Sequence, residues 1–227
     1  SLLPNNDLTT PYTSLQINLR NTNKSLIDVT SKCIYSAFVI EKLEKPTALY
    51  KWELSYGTED DWQNIFSLPY SCTRDTRLQA FQYRILHRIL PCRKWLFTLT
   101  VIESDLCYIC NDTDDIEHFL FSCQTTRVFW EHLERWWNRV SQCKVSLTLK
   151  HIIFGIYYDL KYFAEINFII ILAKHYIYLK KHYKQHICFY SFLGTLKHKL
   201  LLEENVHKMN GTLHTFERKW QAIYNEL

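Results

Sequence analysis

Apolar residues recur along most of the chain at intervals of three and four, the spacing that places them on one face of an α-helix. Stretches that alternate apolar and polar residues, typical of exposed strands, are nearly absent. The pattern therefore predicts an all-α fold with little or no β-structure. The expected elements are a short strand at Leu15–Leu19, a helix capped by Thr58 that carries Trp62, Ile65 and Phe66, and helices at about Asp28–Leu43, Thr47–Tyr56, Thr73–Leu90, Cys92–Leu99, Ile116–Phe121, Thr125–Val140, Leu149–Ile156, Tyr162–Tyr183, Phe189–Met209 and Leu213–Leu227.

Composition supports the same fold class and limits the size of the domains. Only 4 glycines and 5 prolines occur in 227 residues, whereas Trp, Tyr and Phe number 7, 15 and 13. Few turn-forming residues and many large apolar ones favour long helices around a substantial core. We expect a linker at residues 1–26, a helical region at 27–145 and a C-terminal helical bundle at 146–227 packed on it.

Four soft metal ligands lie within the expected zinc knuckle at residues 107–123. Their spacing is Cys107-x2-Cys110-x7-His118-x4-Cys123. Three thiolates and one imidazole complete a tetrahedral shell, which is typical of a single structural Zn²⁺ because a catalytic zinc keeps one position open. The alternatives are four unrelated residues or two disulfides in a secreted protein, and neither explains the spacing as well.

Positive charge is concentrated in one part of a chain whose net charge is only +4. Residues 74–94 contain six basic residues and one acidic residue, and three of these arginines lie within about 40° of one another on the predicted helix. Arginine forks suit phosphate groups, although an ordinary solvated helix face is the competing interpretation. The candidate nucleic-acid-binding residues are Arg77, Arg84, Arg88, Arg93 and Lys94. A second basic surface is expected between Lys174 and Trp220.

These motifs together resemble a known family. Trp52, Asp61-Trp62, the run Leu78-x2-Phe81-x-Tyr83-x-Ile85 to Leu90, Trp95-Leu96, the knuckle with Glu117-His118-Phe119-Leu120, and Phe129-Trp130 look like the zinc-binding domain that follows the polymerase in LINE-type non-LTR retrotransposon reverse transcriptases. The resemblance covers about residues 30–225, most densely from Trp62 to Trp130. It implies a parent RNA-directed DNA polymerase with an endonuclease, acting in target-primed reverse transcription.

The chain itself carries no recognisable catalytic motif. It lacks a paired-aspartate polymerase motif, a glycine-rich phosphate loop and a nucleophile elbow. The acidic cluster Asp112, Asp114, Asp115 and Glu117 fits a capping and solvated loop better than a two-metal site. A zinc hydrolase is disfavoured by the closed shell. We therefore expect a non-catalytic fragment.

The expected function is binding of RNA and/or DNA, positioned for the polymerase domain of the same parent chain. The alternative is a zinc-pinned structural or protein-interaction domain without direct nucleic-acid contact. Neither a secretory signal nor an apolar run of about 20 residues is present, so no membrane contact is expected. The expected location is intracellular, in the nucleus and/or cytoplasm. The first residue is serine, which suggests a piece of a longer chain.

Overall fold

A computed structural model of the chain describes residues 16–19, 22–25, 28–35, 46–57, 61–157 and 162–227. The chain divides into two compact units, Ser1–Pro46 and Thr47–Leu227. In the first unit, strands β1 (Gln16–Leu19) and β2 (Thr22–Ser25) form an antiparallel hairpin. Residues 31–35 are helical. Of the predicted helix Asp28–Leu43, residues 28–30 are described but are not α-helical, and residues 36–43 lie outside the described residues.

Helices account for nearly all the regular structure of the second unit. They are α1 (Thr47–Tyr56), α2 (Trp62–Cys72), α3 (Thr76–Leu86), α4 (Arg93–Thr98), α5 (Gln124–Ser141), α6 (Leu149–Phe154), α7 (Phe163–His182), α8 (Phe189–Met209) and α9 (Leu213–Tyr224), with a π-helical turn at His118–Ser122 between α4 and α5. The prediction of an all-α fold with little β-structure is confirmed. No described helix is both long and apolar enough to cross a membrane.

Helix α7 lies at the centre of the second unit because it is apolar on nearly every side. It packs against α2, α3, α6, α8 and the π-helical turn, and its middle section is fully buried. Gly155, at the end of α6, lies so close to α2 and α7 that an added Cβ would stand 2.2 Å from Leu68 and 2.9 Å from Asn167. That close approach and a φ of +100° both require glycine there.

The tryptophans are mainly core residues, as the sequence pattern indicates. Trp52 is completely buried, and its indole N–H donates to the Leu86 carbonyl at 2.8 Å. Trp220 is equally buried and donates to Glu203 Oε1 at 3.1 Å. These two bonds offset the water contacts that the buried indole N–H groups lose.

The predicted helix Thr73–Leu90 is shorter than expected at both ends. Asp75 caps α3, its Oδ1 accepting from the Arg77 backbone N–H at 3.0 Å. At the other end Arg88 adopts a left-handed backbone conformation with φ 56°. The N–H groups of Arg88 and Ile89 then bond back to Ile85 and Arg84, which is the Schellman motif that terminates a helix.

Four helix ends in the described part of the chain use this motif. Its left-handed position is filled by Arg88 after α3, Thr100 after α4, Lys184 after α7 and Gly211 after α8. Glycine, which adopts this conformation without a Cβ penalty, is present in only one of the four. Three of these four boundaries thus rest on residues that carry no obvious stop signal.

The compact unit Thr47–Leu227 runs through the position where we expected a boundary, at residue 145. Helix α5, before that position, packs against α8 and α9, after it. The subdivision into 27–145 and 146–227 remains a prediction.

Asp61 caps α2 through a 3.2 Å bond from Asn64 N–H, whereas the expected cap Thr58 lies outside the described residues.

A buried polar chain connects three helices across the core. Lys174 on α7 is 1% exposed, and its ammonium donates to Gln82 Oε1 on α3. The amide of Gln82 in turn donates to the Ile153 carbonyl on α6 at 2.8 Å. Complete burial lowers the pKa of Lys174 from 10.5 to about 7. A neutral lysine is therefore accessible near physiological pH.

Lys174 should make the folded protein more stable as pH rises from 7 to 9. In this window the unfolded chain keeps the lysine protonated while the folded protein releases the proton, so raising the pH favours folding. With the pKa of about 7, the gain is about 2 kcal/mol. Denaturant unfolding of the zinc-saturated protein at each pH measures it. The measurement stops near pH 9 because of Cys72, whose pKa burial raises from 9.0 to about 11. Above pH 9 the unfolded chain releases this thiol proton while the folded protein keeps it, so stability falls with rising pH.

The Lys174→Met variant is the control for this pH dependence. Other groups titrate in the same range, so the informative quantity is the difference between the two unfolding curves. We expect the free energy of unfolding of the wild type to increase relative to that of Lys174→Met as the pH rises from 7 to 9. Parallel curves for the two proteins would show that Lys174 stays charged in the folded state.

Candidate metal centre and basic surface

The first half of the knuckle is a tight turn that directs two thiols to the same side. The backbone N–H of Cys107 donates to Asp112 O at 2.7 Å, and that of Asn111 donates to Cys107 O at 3.0 Å. Asn111 has a left-handed backbone, φ 61°, which asparagine tolerates better than most residues. The two-residue gap between Cys107 and Cys110 thus lies within a closed loop.

The second half is the π-helical turn His118–Ser122, which brings the last two ligands together. Residues five apart lie about 140° apart around a regular α-helix, so an α-helix would turn His118 and Cys123 away from each other. Here the Cys123 N–H bonds to His118 O at 3.0 Å, five residues back. Asp115 caps this segment through a 3.0 Å bond from His118 N–H, rather than the expected Thr113 or Asp114.

The four side chains form one cluster of the size that a zinc ion requires. Their ligand atoms all lie within 4.8 Å of one another. Cys110 Sγ lies 3.1 Å from His118 Nε2, and Cys123 Sγ lies 3.9 Å from both Cys107 Sγ and Cys110 Sγ. A tetrahedral zinc with bonds near 2.3 Å needs sulfur atoms about 3.8 Å apart. The donor set and its spacing therefore fit one structural zinc.

Two of the thiols have very different electrostatic surroundings. Burial, reinforced by the neighbouring Cys107, raises the pKa of Cys110 to about 11. Burial would also raise the pKa of Cys123, but hydrogen bonding by Thr125 and the ammonium of Lys181 outweigh it and lower this pKa to about 7. Three adjacent thiolates need a cation between them. Zinc binding would supply that cation and release the thiol protons.

The knuckle is attached to the helical body by bonds from several elements. The Arg93 guanidinium donates to Ser104 O at 3.0 Å, and the Lys94 backbone N–H to Asp114 O at 3.1 Å. On the other side Trp130 of α5 donates to Leu120 O at 2.6 Å and Lys181 of α7 donates to Phe119 O at 2.9 Å. The metal centre therefore lies at the junction of α4, α5 and α7.

The acidic cluster does not form a second metal site. Among the described residues, the Cys3His group is the only set of three or more potential ligands with its atoms together. Asp114 is buried, Asp115 caps the turn and Asp112 is exposed. Their different surroundings agree with a capping loop.

Arg88 lies apart from the two other helical arginines that were predicted to share its face. Its left-handed backbone turns the side chain inward, where the guanidinium carbon stands 4.0 Å above the Trp52 ring. Its Nη1 atom lies 3.9 Å from Glu117 Oε1. Arg88 therefore holds α1 against the segment that carries His118, and the helical wheel was wrong because α3 ends at Leu86.

The other four candidates divide into two pairs. Arg93 is half-buried and bonded to the Ser104 carbonyl, while Lys94 is exposed but stands 3.5 Å from Asp115. Arg77 and Arg84 are exposed and, among the described residues, neither forms an ion pair with an acid. We call Arg77 and Arg84 the α3 basic face. The role of these two residues in nucleic-acid binding remains a prediction, as does that of Arg88, Arg93 and Lys94.

The second basic surface is weaker than the sequence suggested, because Lys174 and Lys181 are 1% and 4% exposed. They lie seven residues apart and so share one face of α7. Sequence reasoning counted both as surface charges and missed their contacts. The available signal was Lys174 itself, a lysine inside a segment that is apolar on every side.

Fold and site together define a helical domain built around one zinc-binding Cys3His centre. Residues 47–130 match the family model described as zinc-binding in reverse transcriptase. The match begins at Thr47, where the second compact unit begins, and includes all four ligands. No curated protein and no solved structure matches the chain.

Cys110→Ser should abolish stoichiometric zinc binding and destabilise the knuckle. Binding of a structural zinc is coupled to folding and contributes about 10–16 kcal/mol in small zinc domains. Elemental analysis of the purified protein, followed by thermal unfolding, measures both effects. The matched control is Cys143→Ser, because Cys143 lies outside the metal cluster. Metal-free wild type with an undisturbed melting curve would contradict the assignment.

Arg88→Ala should lower the free energy of unfolding by about 1 kcal/mol, through loss of the contact with Trp52. Urea unfolding of the zinc-saturated protein measures the change. Lys94→Ala is the control, because an exposed pair with Asp115 contributes little. A stability loss confined to Lys94→Ala would invalidate this account of Arg88.

Proposed function

We propose that this chain is a nucleic-acid-binding module from the C-terminal part of a LINE-type non-LTR retrotransposon reverse transcriptase. Its zinc would hold the knuckle in shape, and the helical body would position template RNA or target DNA for target-primed reverse transcription. The family match at residues 47–130 supports the association with a reverse transcriptase. The zinc site supports a structural role for the metal.

The α3 basic face is the observation that carries nucleic-acid binding. Arg77 and Arg84 are seven residues apart on one helix, so they lie on the same side about 10 Å apart along the axis. Both are exposed and lack an acidic partner among the described residues. An unpaired arginine fork can bind a phosphate without first breaking an internal ion pair.

Exposed aromatic rings accompany these arginines. Tyr83, beside Arg84, is exposed and its ring lies 4.0 Å from that of His87. Burial raises the pKa of Tyr178, the charge of Arg84 lowers it and the exposed Tyr183 raises it. These three side chains are therefore neighbours. The α3 basic face thus adjoins the end of α7. Cations interleaved with aromatic rings suit a single-stranded nucleic acid, whose bases can stack.

A protein-interaction role has one specific observation in its favour. Large apolar side chains are exposed along α4 and the knuckle: Phe97, Leu99, Val101, Tyr108 and Ile109. Exposed apolar patches often mark protein contacts. The polymerase domain of the same parent chain, an RNA-directed DNA polymerase with an endonuclease, would be the partner. The zinc would then only pin the helices.

The Arg77→Ala/Arg84→Ala variant separates the two functions. If both arginines contact phosphates, affinity for single-stranded RNA should fall, and the slope of log K against log salt should decrease by about 1.4. For duplex DNA the expected decrease is about 1.8. Equilibrium binding across a salt series measures both slopes, and comparison of the wild-type affinities for the two nucleic acids at the same salt concentration gives the nucleic-acid preference.

The matched control is Arg135→Ala/Arg139→Ala, which removes the same charge from exposed positions on α5. Its slopes should stay near those of the wild type. Zinc content and unfolding curves verify that both double variants remain folded. An unchanged slope in the folded α3 variant would overturn phosphate contact by Arg77 and Arg84 and favour the protein-interaction role.

In the cell, the proposed location is the nucleus and/or cytoplasm.

A further inference from the structure

The zinc centre has an excess negative charge in a buried place. One Zn²⁺ with three thiolates and a neutral imidazole carries a net charge of −1. Cys107, Cys123 and His118 are all buried, with Cys123 fully so. An uncompensated charge away from water is costly. The surrounding protein should therefore place a positive group beside the sulfur atoms.

Lys181 on α7 is in the position to do this. It is 4% exposed, although it lies in the last turn of a helix where lysines usually reach water. Its ammonium donates to the Phe119 carbonyl at 2.9 Å and stands 4.5 Å from the centre of the Phe119 ring. Phe119 lies within the turn from His118 to Cys123. Burial raises the pKa of Cys123, but Thr125 and this ammonium lower it to about 7, so the positive charge lies close to the Cys123 sulfur.

We propose that Lys181 is a positioning residue for the metal, whose ammonium donates to the zinc-bound Cys123 thiolate and balances the charge of the centre. Sixty-two residues separate Lys181 from Phe119, and Lys181 lies beyond the matched segment 47–130. Helix α7 would thus be part of the metal site. This inference rests on the zinc centre and is independent of nucleic-acid binding.

Asp114 is the competing partner of Lys181. It is buried, and its Oδ1 atom has no hydrogen-bond partner. Burial raises the pKa of its carboxyl group, and the charge of the Lys181 ammonium lowers it. If Lys181 served only Asp114 and the Phe119 carbonyl, it would stabilise the fold without changing zinc affinity in particular. A charge-balancing role predicts a specific effect on the metal.

Lys181→Gln tests the proposal because glutamine keeps a hydrogen-bond donor and removes the charge. Zinc affinity is measured by competition with a chromophoric chelator, alongside unfolding of the metal-loaded and metal-free proteins. We expect the zinc dissociation constant to rise about 10-fold or more, as for other groups that support metal ligands. Lys181→Arg, which retains the charge, should restore most of the affinity.

The matched control is Lys174→Gln, two turns earlier on the same face of α7 and equally buried. It contacts Gln82 rather than the knuckle, so its zinc affinity should equal that of the wild type even if its stability changes. Equal losses of affinity in the two glutamine variants would overturn the proposal. So would wild-type affinity in Lys181→Gln.

An Asp114→Asn background distinguishes the thiolate from the carboxylate as the partner. If Lys181 acts on Cys123, Lys181→Gln should weaken zinc binding by a similar factor in both backgrounds. If it acts through Asp114, the effect should disappear when the carboxylate is neutral, which is the coupling that a double-mutant cycle detects. Disappearance of the effect would refute the role assigned to Lys181.

Discussion

The five-residue spacing between His118 and Cys123 determines how the knuckle joins the rest of the protein. Closing the metal shell over this spacing requires a π-helical turn, and that turn frees the carbonyls of Phe119 and Leu120 from the usual backbone bonds. Side chains from later helices occupy them: Thr126 and Lys181 donate to Phe119 O, and Trp130 donates to Leu120 O. Buried carbonyls need such donors. The geometry of the ligands therefore also attaches the centre to α5 and α7.

Some basic side chains of this protein stabilise its interior, and others are exposed on its surface. Arg88 and Lys181 have buried or half-buried contacts with Trp52 and Phe119, and Lys174 is bonded within the core. Arg77 and Arg84 are left on the surface of α3. A modest net charge of +4 is thus a poor guide to how many cations can meet a phosphate backbone. The accessible basic surface is smaller and better defined than the sequence suggests.

The metal ligands were predictable because their spacing alone limits the chemistry, and most helices were predictable because their apolar period is strong. The end of α3 was not, since Arg88 occupies a position where glycine would normally signal a stop. The burial of Lys174 and Lys181 was also missed, because local sequence does not show which neighbouring helix will cover a side chain. The hairpin of β1 and β2 extends a prediction of one strand, as pairing requires a partner strand.

The three helix ends closed by residues other than glycine have different consequences for protein engineering. Each left-handed residue costs roughly 1 kcal/mol relative to glycine. At Thr100 and Lys184 the side chains are exposed, so glycine would relieve that strain at little expense and yield a sturdier domain for biochemical work. At Arg88 the same substitution would also remove the cation above Trp52. One backbone motif therefore offers two sites for stabilisation and one that should be left alone.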